Sequence, residues 1–131
     1  MTAIAYVDAS ALVKLLVDES GSPGMARWYV EAERVVSSRI GIVETRRAVE
    51  RRAVDTDTGL VDRVLSSVEI FELDADIGRA AATVGPSALR TLDAIHLATA
   101  LAIPGIEAFV TYDDRLADAA RALGLPVISP A

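Results

Sequence analysis

Asp8 follows a short apolar run, Ala3-Ile4-Ala5-Tyr6-Val7, and Asp113 follows a second, Ala108 to Tyr112. Glu44 lies one turn inside a helical stretch, and Asp93 heads an almost uncharged one. Clustered carboxylate oxygens are what hard divalent cations require, and phosphoryl chemistry is the usual use of such a cluster. Each acid also has a plainer role. An Asp at a strand-to-helix junction is a good N-cap, so Asp8 or Ser10 serves the first helix and Asp113 the last, and capping does not exclude chemistry. Glu44 sits too deep in its helix to cap it, and its plain role is a pair with Arg47. For Asp93 the plain role is a place in the first turn of a helix capped by Thr91, favoured by the dipole.

Asp93 weighs most in the comparison. In Thr91-Leu-Asp-Ala-Ile-His-Leu-Ala-Thr-Ala-Leu-Ala102 only Asp93 and His96 ionise, while Leu97, Ala100 and Leu101 lie on its stripe at three- and four-residue spacings. Such a helix is expected to be buried nearly all round. An isolated buried carboxylate is costly unless a cation or several hydrogen bonds offset it. Four separate plain roles are a less economical account than one metal site. His96, one turn from Asp93, is either a supporting contact or a satisfied structural histidine. Thr111 and Ser10 carry hydroxyls beside Asp113 and Asp8 and are supporting candidates, with strand packing and capping as their alternatives. Asp114 is a second acid next to Asp113.

These residues need a scaffold that brings them to one edge. The pattern predicts strands at 3–7, 34–37, 68–72, 108–112 and 126–129. Helices are predicted near 10–17, 23–32, 40–54, 58–67, 75–84, 91–102 and 114–123, with turns at Gly21–Gly24 and Asp55–Asp57. Pro23 opens a helix, Pro86 and Pro104 close helices, and Gly124 with Pro126 ends the last. Short apolar runs alternating with longer helical ones imply an α/β fold: a mainly parallel sheet of four to five strands with helices on both faces. Ligands of such sheets bind beyond the carboxyl ends of the strands, where Asp8, Glu44 and Asp113 are expected.

At 131 residues the chain is read as one domain, 1–131. Hydrophobic residues make up 52% and mean hydropathy is +0.36, more apolar surface than one small core hides, which implies an oligomer or a stable complex. No segment reads as a membrane span or export signal, so a cytoplasmic location without membrane attachment is expected. Without cysteine there is no disulfide, thiolate ligand or cysteine nucleophile. The net charge of −6 argues on its face against nucleic acid. Distribution tells more. Twelve of the 13 basic residues are Arg, with Arg34, Arg39, Arg46, Arg47, Arg51 and Arg52 gathered around Glu44, and Arg binds phosphate in bidentate fashion. Arg47 and Arg51, three and seven positions beyond Glu44, are candidate RNA-backbone contacts; a solvated helical face is their alternative.

Val7-Asp8-Ala9-Ser10-Ala11-Leu12-Val13-Lys14, Val43-Glu44-Thr45-Arg46-Arg47-Ala48, Leu92-Asp93-Ala94-Ile95-His96-Leu97-Ala98 and Val110-Thr111-Tyr112-Asp113-Asp114-Arg115-Leu116 together resemble the four acidic motifs of PIN-domain nucleases, and most of all those of VapC toxins from toxin–antitoxin pairs. The resemblance runs end to end with the motifs in order. It implies that Asp8, Glu44, Asp93 and Asp113 bind one or two Mg²⁺ or Mn²⁺ ions, that water attacks an RNA phosphodiester, and that the products carry 5′-phosphate and 3′-hydroxyl ends. The Thr-x-Asp spacing favours Asp113 over Asp114. A cognate antitoxin laying a segment in an apolar groove and a homodimer are also implied. The segment 55–67 is short beside many relatives. The alternative within the family is an RNA-processing nuclease or a silent RNA-binding module. A phosphorylatable receiver would need a Lys near the last strands, and the only one is Lys14; a haloacid-dehalogenase-type phosphatase would need Asp-x-Asp where Asp8-Ala9-Ser10 stands.

Overall fold

The computed structural model describes residues 2–52 and 57–131. Five strands, β1 (Ile4–Val7), β2 (Arg34–Ser38), β3 (Glu69–Phe71), β4 (Ile106–Val110) and β5 (Val127–Ile128), form one sheet in the order β3-β2-β1-β4-β5. Every pairing is parallel. Seven helices among the described residues connect them: α1 (Ala9–Lys14), α2 (Ser22–Glu31), α3 (Arg39–Arg52), α4 (Thr58–Ser66), α5 (Ala75–Ala81), α6 (Thr91–Leu101) and α7 (Asp114–Ala122). The α/β architecture and the helix count agree with the sequence expectation.

Strand alternation divides the core. Ala5, Val7, Val35 and Val110 point to one side, onto Leu12, Met25, Ile42, Val49, Val61 and Leu65 of α1 to α4. Ile4, Tyr6, Val36 and Phe109 point to the other, onto Leu97 and Ala100 of α6 and Leu116 and Ala120 of α7. The period of two along each strand therefore decides which helices it meets. In α6 every residue from Asp93 to Ala100 is buried, as its composition requires.

Several boundaries differ from expectation. The apolar run ending at Tyr112 enters the sheet two residues earlier, as β4 from Ile106. Gly105, at φ 76, turns the chain directly into Ile106, and past Val110 the Thr111 amide still donates to the Ile128 carbonyl while the Thr111 hydroxyl and the Tyr112 amide bond Asp8 and Ser10. Helix α1 stops at Lys14 rather than 17, because the amides of Leu15 and Leu16 bond three residues back, to Leu12 and Val13, in a tightened turn. Helix α5 ends at Ala81, well before Pro86. The predicted end of α3 at residue 54 and most of the Asp55–Asp57 turn lie outside the described residues; Asp57 itself caps α4 by accepting the Leu60 amide at 3.1 Å.

Strand order reverses at β1: the chain runs outward through β2 and β3, then returns to lay β4 on the other flank of β1. A cleft opens beyond the carboxyl ends of two strands whose connections leave in opposite directions, and the Asp8 amide donates to the Val110 carbonyl at that point.

Candidate metal centre

Asp8, Glu44, Asp93 and Asp113 all line one cleft of about 350 Å³, together with Ser10, Arg90, Thr91 and His96. Four distant positions in the chain thus meet at the β1–β4 switch point.

Asp8 sits at the end of β1 as the N-cap of α1 and is 4% exposed. One carboxylate oxygen accepts from Ser10 Oγ at 2.7 Å and the Ala11 amide at 3.0 Å, the other from Thr111 Oγ1 at 2.6 Å. Among the described residues no cation pairs with it. Burial pushes its carboxyl above the ordinary range, against the pull of the nearby His96 and of these donors. Capping and cleft lining coexist in this residue, and the hydroxyls of Ser10 and Thr111 hold it in place.

A stability prediction follows from that burial. A folded pKa above the unfolded value means that the folded state holds the proton more tightly, so metal-free stability is fullest below the unfolded value of 3.8 and is lost as pH rises through the folded one. Asp8→Asn cannot ionise yet still offers an oxygen to the Ala11 amide. In chelator, its melting temperature is expected to exceed wild type by a margin that widens with pH, each kcal/mol of relief counting for roughly 3–5 °C at this length. A margin that stays flat from acid to neutral pH would refute the assignment.

Glu44 reaches the cleft from the second turn of α3 and is held by His96, whose Nε2 lies 2.6 Å from Glu44 Oε1. The expected Glu44–Arg47 pair is not formed. Behind it, His96 Nδ1 lies 2.6 Å from Tyr6 Oη, which accepts the Ser38 amide at 3.2 Å. Burial raises the Tyr6 pKa far above its ordinary value, so the phenol keeps its proton, and Tyr6, His96 and Glu44 form one hydrogen-bonded chain. Gly41 makes room for this packing. A Cβ there would stand 2.5 Å from Ser37 Oγ and 3.2 Å from His96 Cε1.

Asp93 is 7% exposed in the first turn of α6, and Thr91 does not cap that helix; the N-cap is Arg90. Nor is the carboxylate isolated, as its apolar neighbours led one to expect. Arg90 Nε donates to Asp93 Oδ2 at 3.0 Å and Arg90 Nη2 to Asp113 Oδ2 at 3.1 Å, so one guanidinium spans two of the four acids. The signal was present in the sequence as an Arg three residues before a buried acid.

Asp113 caps α7 through the Arg115 and Leu116 amides while its other oxygen faces the cleft. Asp114 is exposed in the first turn of α7 and does not line the cleft. Arg47 and Arg51 line a separate cleft with Arg46 and Glu50 on the outer face of α3, and do not reach the acids.

The donor set is all hard oxygen, and the most buried member lacks a cationic partner among the described residues, which suits Mg²⁺ or Mn²⁺. The acids are gathered rather than closed: among the described residues no three acidic or histidine side chains form a ready-made cage.

A PIN-domain family model matches residues 5–122. The chain belongs to that family. Among its PIN-domain relatives, ribonuclease VapC35 of Mycobacterium tuberculosis is 44% identical over 95% of this chain and 96% of its own length. Ribonuclease VapC47 of the same species is 38% identical at the same coverage. The PIN fold recurs in VapC20 of Mycobacterium tuberculosis, a Sarcin-Ricin loop cleaving toxin (TM-score 0.73, 18% identity, 96% of this chain and 99% of that one). It recurs also in VapBC2 of Rickettsia felis bound to a promoter DNA fragment (TM-score 0.71, 14% identity, 98% and 99%).

Proposed function

We propose that this PIN domain is a divalent-metal-dependent endoribonuclease and the toxin of a toxin–antitoxin pair. The observation that carries this reading is the meeting of Asp8, Glu44, Asp93 and Asp113 in one cleft. The relatives' ribonuclease names support the substrate class.

Asp8, Glu44, Asp93 and Asp113 would hold one or two Mg²⁺ or Mn²⁺ ions. Such an ion supplies Lewis-acid stabilisation of charge on the phosphate and a nucleophilic water at neutral pH. The chain's own residues set the stage. Ser10 and Thr111 fix both oxygens of Asp8, and the Tyr6–His96 pair fixes Glu44, so two of the four carboxylates are oriented by bonds already made. Preorganisation of this kind removes reorganisation from the reaction step. The acids themselves repel RNA phosphate, which makes their neutralisation a condition of binding as well as of chemistry.

For the toxin role, support comes from solved relatives that are toxin–antitoxin complexes, including one from Klebsiella pneumoniae. An apolar groove of about 650 Å³ between α5 and α6, lined by Leu73, Ala81, Val84, Leu89 and Ile95, offers a seat for an antitoxin segment, and Val30, Leu92 and Leu101 are exposed for a homodimer or the same partner. Among the described residues no helix is long and apolar enough to cross a membrane; a cytoplasmic site of action is part of this proposal.

Expression of the chain alone is expected to arrest growth, with rescue by the neighbouring antitoxin gene. Normal growth with abundant folded protein would favour an RNA-processing nuclease instead. Arg47 and Arg51 are proposed to hold RNA backbone along α3, outside the acidic cleft, since both are exposed and among the described residues neither is salt-bridged. Replacing both with Gln is expected to weaken RNA binding at low salt and to lower its salt slope by roughly 1–2 units. Unchanged affinity and slope would return them to a solvated face.

A further inference from the structure

We propose that Arg90 is a placeholder cation: it joins Asp93 to Asp113 while the cleft is free of metal, is displaced when a divalent ion takes those carboxylates, and then binds an RNA phosphate at the cleft mouth. This rests on the metal-dependent reading above.

Three observations point to it. Arg90 is the one permanently charged cation among the described residues lining the acidic cleft, and both of its bonds go to Asp93 and Asp113. Arg90 occupies Asp93 Oδ2 and Asp113 Oδ2, so a divalent ion drawing on those two carboxylates would compete with the guanidinium. The Arg90 side chain is 60% exposed, so the guanidinium can swing away from the acids without disturbing the core.

The structure also offers room for the released side chain. Arg90 and Asp93 line a second, mostly apolar groove of about 400 Å³ that runs on from the acids past Pro86, Leu89 and Ala119 to Arg115 and Asp118. A released guanidinium has room there for its aliphatic stem, with the planar head at the mouth. It would stand beside Arg115, presenting paired N–H donors that match a phosphate. Backbone geometry does not oppose the movement: Arg90 is the N-cap of α6 and makes no side-chain capping bond.

The test is one substitution with two opposite effects. Mn²⁺ is titrated into wild type, Arg90→Gln, Arg90→Lys and Arg115→Gln, with free Mn²⁺ read by electron paramagnetic resonance. Binding of a fluorescent 2′-O-methyl oligonucleotide of mixed sequence is then measured by anisotropy in saturating Mn²⁺. Arg90→Gln is expected to bind Mn²⁺ roughly three- to tenfold more tightly and the oligonucleotide several-fold more weakly. Arg90→Lys keeps a phosphate-binding charge but cannot span both acids, so it is expected to gain metal affinity while losing little oligonucleotide affinity. Arg115→Gln removes equal charge from the same groove without touching the ligand oxygens and should leave Mn²⁺ affinity unchanged.

Arg90 as a structural strut predicts weaker Mn²⁺ binding in Arg90→Gln, and that result overturns the inference. So does equal tightening in Arg115→Gln, which would make the effect one of net charge, and so does unchanged oligonucleotide binding. If wild type binds no Mn²⁺ at all, the metal reading itself falls, a failure distinguishable from that of Arg90 alone.

Discussion

RNA cleavage by this protein is expected to stop completely in EDTA and to return when Mg²⁺ or Mn²⁺ is restored in excess. The expectation rests on charge. Asp8, Glu44, Asp93 and Asp113 face one cleft, and only Arg90 among the described lining residues offers a permanent positive charge against them. A phosphodiester and an anionic nucleophile cannot both approach such a surface unless it is neutralised. Ion-assisted stabilisation is worth several kcal/mol, and each 1.4 kcal/mol is about tenfold in rate, so the loss should reach the background of the assay. The measurement is the initial rate on a labelled RNA pool against free metal concentration. Undiminished cleavage in chelator would sink the metal mechanism, and contaminating nuclease is excluded by running Asp93→Asn alongside.

That variant carries the second large expectation. Asp93→Asn should lower the turnover rate by roughly a thousandfold, because it removes a ligand oxygen from the centre of the cleft. The fold should survive. Asp93 lies in the first turn of α6 but is not its cap, its neighbours are apolar, and an Asn there keeps the shape and one oxygen for Arg90 to donate to. The melting temperature in metal-free buffer is therefore expected to stay within a few degrees of wild type. A variant that melts far lower without metal would show Asp93 to be structural, whatever its activity. Relief of burial strain belongs to Asp8 instead, since that is the carboxylate without a cation.

The sequence exposes Asp8, Asp93 and Asp113 for a physical reason: each interrupts or closes an apolar run in which a charge is costly, whereas Glu44 stands among Thr45, Arg46 and Arg47 and is marked only by lying too deep in its helix to cap it. Asp8 and Asp113 were legible as caps and as cleft residues at once, and the structure shows both bonds. The parallel sense of the sheet followed from alternation of short and long apolar patterns, whereas the strand order β3-β2-β1-β4-β5 came only with the structure. What stayed hidden were the relations between distant residues. Arg90 reads as one more surface arginine until α6 and α7 place Asp93 and Asp113 on either side of it. Tyr6 reads as strand packing; only the crossing of α6 beneath β1 turns its hydroxyl toward His96, and only Gly41 lets His96 sit so close to α3. The end of β4 was misplaced because Thr111 and Tyr112 have the residue types of a strand, and their departure toward Asp8 depends on a partner a hundred positions earlier. Arg47 and Arg51 follow Glu44 along α3, but each lies about a turn or more further down the helix, and there they line a surface of their own with Arg46 and Glu50.

The place of β1 in the sheet has a consequence for how the molecule comes into being on the ribosome. Its neighbour β2 is made soon after it, but its other neighbour, β4, pairs Tyr6 with Phe109 and Val7 with Val110. Until about residue 113 has left the exit tunnel, Asp8 lacks Thr111, and neither Arg90 nor any ion has Asp113 to hold. Parallel pairings across such a separation form late, because the loop must be closed before the contacts repay it. A nascent chain of this protein thus lacks a complete acidic cleft until β4 and Asp113 have emerged, and on the proposed reading it cannot act before then.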